Sequence, residues 1–201
     1  MSENGNIHKA LAAIVTMTEG SQATWVVGGS AGLMLRGLKL AADPRDLDLY
    51  CDEADVSAIY QSLRSFAIDE PVLSTTSMYR STLCHFRIEG VQVELVGGFR
   101  VSSPSGFYET NVRGQLLPYS EVIRLDGSAL SVHVVPLAHE LWFNRLRGRE
   151  DRVALIAEAM ASSMRRHDSA LQAIENTNDF HPEAKDGLHS LLRIQEAGGL
   201  K

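Results

Sequence analysis

Apolar positions change their spacing along the chain, and the changes mark out its elements. Ile7, Leu11, Ile14 and Val15 recur at helical spacing, which predicts a first helix ending near Gly20. Residues 24–27 form a β-branched and aromatic run stopped by Gly28-Gly29, the pattern of a buried strand. Residues 30–36 have helix-compatible composition and stop at Gly37, and residues 47–51 alternate as a second strand. Asp55 reads as the N-cap of a helix whose stripe is Val56, Ile59, Tyr60, Leu63 and Phe66. Residues 78–95 read as a hairpin turning at Glu89-Gly90, residues 97–118 as a looser stretch, and residues 121–135 as a second hairpin turning at Asp126-Gly127. Beyond Pro136 the spacing is helical, with Pro182 as a helix start. Two regions are therefore expected, a mixed α/β part over residues 1–135 and a helical part over residues 136–201.

Composition narrows the class. With 44% hydrophobic and 22% charged residues, the chain can bury a real core. No apolar run approaches the ~20 residues that span a bilayer, so no membrane partner is expected. The opening Met1-Ser2-Glu3-Asn4 lacks the basic region and apolar stretch of a secretory signal. Cys51 and Cys84 both fall in strand-like segments, which suits buried thiols in a reducing cytoplasm better than a disulfide or a metal cluster. The net charge of −6 is spread over both halves with no basic stripe, which argues against duplex DNA as a partner. A small phosphorylated ligand needs only a few basic residues in a pocket.

The chemistry concentrates in two stretches. Gly28-Gly29-Ser30 ends a strand and enters a helix, where backbone N–H groups, the helix N-terminus and the Ser30 hydroxyl can all meet a phosphate. It fits neither the dinucleotide fingerprint nor a Walker A loop, and alone it describes a tight turn. Arg45-Asp46-Leu47-Asp48-Leu49-Tyr50 follows. On a strand Asp46, Asp48 and Tyr50 share one face, while Leu47, Leu49 and Cys51 point into a core. Two carboxylates on one face repel each other unless a cation lies between them, and Mg²⁺ takes one or two carboxylates and completes its shell with phosphate and water. In Val91-Gln92-Val93-Glu94-Leu95 the alternation leaves Glu94 on the polar face, a third acid for the same site. Three acids beside a Gly-Gly-Ser turn suit metal-assisted phosphoryl or nucleotidyl transfer.

These residues together, Gly28-Gly29-Ser30, Asp46-x-Asp48 and the later strand acid Glu94, resemble the nucleotidyltransferase superfamily related to DNA polymerase beta. The small bacterial aminoglycoside nucleotidyltransferases and the abortive-infection-type toxins are the nearest in pattern. The resemblance covers the first half of the chain. It implies an α/β (α+β) nucleotidyltransferase fold, a small mixed sheet with helices on one face and a helical C-terminal part. It also implies a transferase that moves a nucleoside monophosphate from an NTP to an acceptor hydroxyl and releases pyrophosphate. Gly28, Gly29 and Ser30 would bind the nucleotide phosphates. Asp46, Asp48 and Glu94 would be both the catalytic residues and the ligands of two Mg²⁺ ions, with Glu94 completing the metal site or taking the proton. A small-molecule acceptor is favoured over protein or RNA.

A second echo runs from Val135 to Asp151. Relatives carry there a lysine that contacts the nucleotide phosphates; this chain has Asn144, with Arg45, Arg145 and Arg149 as candidate nucleotide-binding cations. Arg145, Arg147, Arg149 and Arg152 read equally well as a solvated cluster near a helix end. The alternative function is therefore a catalytically impaired relative that binds a nucleotide or a partner. His139-Glu140 begins like a zinc-protease helix but lacks the second histidine, because residue 143 is Phe. His85 and His133 have no partner at metal-ligand spacing and read as satisfied or exposed side chains. Residues 102–106 read as a flexible loop that could border a cleft.

Overall fold

The structure is a computed structural model that describes residues 3–198. Met1 and Ser2, at the head of the segment examined for a leader, and residues 199–201 of the helical part lie outside the described residues. Nine described strands join in one mixed sheet with the order β3-β4-β5-β2-β1-β8-β7. These are β1 (Trp25–Gly28), β2 (Asp46–Cys51), β3 (Val72–Thr75), β4 (Tyr79–Ile88), β5 (Val91–Ser103), β7 (Glu121–Arg124) and β8 (Ser131–Val134). Off this path, β6 (Gly106–Glu109) pairs with β5 and with β9 (Asp179–Phe180). At the centre β2 runs antiparallel to β1 and parallel to β5.

Alternation decides what each face of the sheet carries. Leu47, Leu49 and Cys51 of β2 and Val93 and Leu95 of β5 lie on one face, under α1 (Glu3–Thr18) and α3 (Val56–Leu63). The helices contribute Ile7, Leu11, Ile14, Ile59 and Leu63, each essentially fully buried. Each such side chain is worth about 1.5–3 kcal/mol against exposure, so this layer fixes the strand register. Phe66, expected on the α3 stripe, lies in the following 3-10 turn and is 37% exposed. Asp55 precedes α3 as expected, but its carboxylate binds the Arg113 guanidinium at 2.7 Å and makes no side-chain cap.

The opposite face carries the polar residues of the same strands and is only partly covered. Val112 and Leu116, from a π-helical turn (Val112–Leu116), pack on Val26, Tyr50 and Val96. Beyond them lies a second core, in which Leu33, Val101 and Tyr108 meet α4 (Leu137–Leu146), α5 (Glu150–Ala161), α6 (Asp168–Thr177) and α7 (Pro182–Gly198). Trp142 stacks on Phe180 with ring centroids 3.8 Å apart, tying α4 to β9.

Both hairpins, the start of α4 directly after Pro136 and the start of α7 at Pro182 follow the sequence pattern. The stretch over residues 97–118 differs. Instead of a loose segment, β5 runs on to Ser103 and turns back as β6, so residues 102–106 are the paired end of a hairpin that turns at Pro104-Ser105. The glycines and serines there had masked a period-2 pattern carried by Phe99, Val101 and Tyr108. Cys51 and Cys84 are free and buried, and burial pushes both thiols up, Cys84 to about 12. Among the described residues, no helix is long and apolar enough to cross a membrane.

Candidate active site

Four parts of the fold meet at a cavity of about 330 Å³ on the polar face of the sheet: the turn from β1 into the helix that follows it, the β2–β5 pair, the β3–β4 hairpin and the α4–α5 corner. Gly28 ends β1 and Gly29 opens α2 (Gly29–Leu35). Gly28 is pressed against the ring of Tyr50, and Gly29 has φ +61° with the Asp48 carboxylate where a Cβ would stand. Any larger residue at Gly29 would therefore meet both a strained backbone and a displaced acid. The turn brings Gly29 and Ser30 to the cavity wall, while Gly28 lies behind it in register with Asp48.

Asp46 and Asp48 sit two apart on β2, and β5 is paired so that Asp48 stands opposite Glu94 and Asp46 opposite Gln92. Neighbouring strands are about 4.8 Å apart, so the three acids share one small area, and all three line the cavity. Among the described residues neither Asp46 nor Asp48 has a salt bridge, and the negative neighbours add up. Burial, then the charges of Asp46, Glu94 and Glu140, push the Asp48 carboxyl up to about 7, with Arg147 pulling the other way.

Glu140 and Arg147 complete the site from the α4–α5 side; the sequence shows Glu140 only beside His139 and Arg147 only within an arginine cluster, and marks neither as a site residue. Glu140 of α4 is buried, and its Oε1 accepts the Gly29 N–H at 2.6 Å. Asn144, one turn on, donates from Nδ2 to the Glu140 carbonyl at 2.8 Å and to its Oε2 at 3.2 Å. Burial raises the Glu140 carboxyl, opposed by the Gly29 hydrogen bond, Arg147 and Asn144. The Gly29 amide, expected to meet a phosphate, is thus occupied by a carboxylate, and Ser30 is the turn residue left facing the cavity. Asn144, where relatives carry a lysine, supplies a hydrogen bond instead of a charge.

The cation comes from Arg147, three residues beyond Asn144. Its guanidinium lies 4.8 Å over the Phe143 ring and 5.6 Å from the Tyr79 ring, with Nε donating to the Tyr79 hydroxyl at 3.0 Å. Arg149 and Arg152 also line the cavity, and the buried Arg152 Nη1 has no hydrogen-bond partner among the described residues. Arg145 and Arg45 do not line it. Arg145 pairs with Glu150 at 2.7 Å, and Arg45 is exposed in the turn before β2. Helical phase separates Arg145 from Arg147, since a shift of two residues along α4 and its cap rotates a side chain by about 200° around the axis. The sequence signal for Glu140 is its i, i+4 spacing to Asn144 on a helix whose other residues are mostly apolar. His139 beside it is no metal ligand but a core residue, held at about 3 by burial and bonded through Nδ1 to the Tyr108 hydroxyl at 2.6 Å.

Among the described residues, no group of three or more His, Cys, Asp or Glu side chains is placed so that it could hold a metal ion. The donors nonetheless suit a hard divalent cation that arrives with its phosphates. Asp46 and Asp48 present carboxylate oxygens on one strand face without a compensating salt bridge among the described residues, and the Arg152 donor is an unmet buried partner for phosphate oxygen.

The sequence matches no protein-family model and no curated protein. Solved structures do match. A candidate nucleotidyltransferase from Thermotoga maritima is 22% identical with a TM-score of 0.55, covering 71% of this chain and 84% of its own. The antibiotic-resistance factor ANT(2'')-Ia, in its solution structure, is 9% identical with a TM-score of 0.51, covering 87% of this chain and 94% of its own. At such identities the likeness concerns architecture alone. The fold of this chain is that of the nucleotidyltransferases.

Proposed function

We propose that this chain transfers a nucleoside monophosphate from a magnesium-bound NTP to the hydroxyl of a small-molecule acceptor. The observation that carries the reading is the polarity of the cavity: Asp46, Asp48 and Glu94 on one wall, Arg147, Arg149 and Arg152 on the other. A triphosphate laid between them meets guanidinium groups on one side. On the other it presents oxygens to carboxylates that only a divalent cation can reconcile with it.

In this reading Asp46 and Asp48 would hold Mg²⁺, with Glu94 at the edge of the same set, and a cation held there would neutralise the phosphates and lower the pKa of the attacking hydroxyl. Glu94 accepts the hydroxyl proton as the acceptor oxygen bonds to the α-phosphorus. The bond from the α-phosphorus to its bridging oxygen breaks, and pyrophosphate leaves with that electron pair toward the arginines. Ser30 orients the phosphates from the turn, and Glu140, held by Asn144, fixes the turn itself.

A cavity of about 330 Å³ is within the range of small-molecule sites, and the net charge of −6 disfavours a nucleic-acid acceptor. A reducing, cytoplasmic setting suits the two buried free thiols. The occupied Gly29 amide and the uncharged Asn144 favour the second reading, a relative that binds nucleotide without turning it over. Calorimetry with each Mg-NTP, paired with a pyrophosphate-release assay over a panel of hydroxylated acceptors, separates the two. Binding with release supports the transferase, and binding without release supports the second reading. No binding of any Mg-NTP overturns both.

A further inference from the structure

We propose that Asp69 and His85 are positioning residues for Glu94, fixing which carboxylate oxygen it offers to the acceptor; this rests on the reading of Glu94 as proton acceptor. The register makes the arrangement possible. β4 and β5 are antiparallel with His85 opposite Glu94, so their side chains stand on one face. Ser81 and Leu83, the alternate residues preceding His85 on β4, already line the cavity, and His85 continues that row at its outer end.

The imidazole is gripped from behind. The segment between α3 and β3 runs beside β4, through a bridge between Ala67 and Phe86 and a hydrogen bond from the Ile68 N–H to the His85 carbonyl at 2.8 Å. Asp69, next along that segment, takes His85 twice. Its Oδ1 accepts the His85 backbone N–H at 2.6 Å, and its Oδ2 lies 2.6 Å from Nδ1 of the ring. One carboxylate bonded to both the backbone and the ring of the same residue leaves the ring little freedom to turn.

With the ring so held, Nε2 faces Glu94 Oε1 at 3.8 Å, and Gln92 Nε2 donates to the same oxygen at 3.3 Å. Both contacts fall on Oε1, which leaves Oε2 as the oxygen offered to the cavity. Such holding is needed because the Glu94 side chain is 26% exposed and the last torsion of a glutamate is broad and weakly restrained. A proton acceptor works only when its lone pair is aimed at the hydroxyl, and groups that orient a reacting residue typically matter by about 10- to 100-fold. An ordinary surface ion pair would leave turnover alone.

The test joins kinetics to structure. In pyrophosphate release, His85→Ala is expected to lower kcat by about 10-fold with KM for the Mg-nucleotide within about two-fold, and Asp69→Asn by about three-fold. His85→Gln, whose amide can reach Oε1, is expected to recover most of the loss. Crystal structures are expected to show the Glu94 carboxylate leaving its present rotamer in His85→Ala and keeping it in His85→Gln. The proposal is overturned by an unmoved Glu94 in His85→Ala, by wild-type kcat in that variant, or by a loss that His85→Gln does not recover. Should the wild-type chain release no pyrophosphate at all, the transferase reading fails. The Glu94 rotamer would then still decide whether Asp69 and His85 hold the carboxylate.

Discussion

The β2–β5 wall of the cavity and the α4–α5 wall carry opposite charge and are built by different local rules. On the strands the side-chain period is two, and apolar partners on the far face lock it. Once Leu47, Leu49, Val93 and Leu95 are buried under helices, Asp46, Asp48 and Glu94 have only one face left. On the helices four arginines crowd the α4–α5 corner, and only the turn of the backbone sorts them. Arg147, Arg149 and Arg152 reach the cavity, while Arg145 is drawn off by Glu150. Acids placed by a sheet are committed in advance, whereas cations placed at a helix end depend on a residue or two of phase.

The largest expected effect breaks the acidic wall. Asp48→Asn is expected to lower turnover by about 10³-fold, measured as pyrophosphate release, since the charge that pairs with the cation is gone while the side-chain volume is kept. Gly29→Ala attacks the hinge between the two walls. Its positive φ and the adjacent Asp48 carboxylate predict a loss of about 2–3 kcal/mol in denaturant unfolding, with Mg-nucleotide binding weakened alongside. On the basic wall Arg147→Ala is expected to raise KM for the Mg-nucleotide by about 10- to 50-fold, the scale of lost charge-assisted hydrogen bonds. Arg145→Ala should stay within about two-fold of the wild type. Equal effects from the two arginine variants would erase the distinction between them.

A gentler test uses pH. The Asp48 carboxyl titrates at about 7 in the metal-free fold, against about 3.9 in an unfolded chain. The folded state therefore holds a proton that the unfolded state has released over that window. For this group, stability is present below about pH 4 and is lost as pH rises toward 7. In chelator, Asp48→Asn should melt higher than the wild type by about 3–6 °C at pH 8, and the gap should close as the pH is lowered to 4. A gap that does not change with pH would mean that Asp48 carries no such strain.

How much could be read from the residues follows the same divide. The strand alternation, the two hairpin turns and the prolines at 136 and 182 act locally, and the elements fall where those signals put them. β6 could not be read, because Ser102, Ser103, Ser105 and Gly106 look like a loop unless the pairing with β5 and β9 is known. The role of Glu140 was hidden for a similar reason. Its partner, the Gly29 N–H, lies 111 residues away, and nothing near residue 140 announces it. Arg147 was overlooked among its neighbours because Tyr79 and Phe143, the rings that hold it, come from different segments.

That long-range bond has a consequence for dissection of the chain. A fragment cut near residue 135 would keep Asp46, Asp48 and Glu94, yet it would lose the Glu140 carboxylate that steadies the glycine bend and all three guanidinium groups of the cavity. The amino-terminal portion by itself is half a vessel, and the carboxy-terminal helices are its other side rather than a handle.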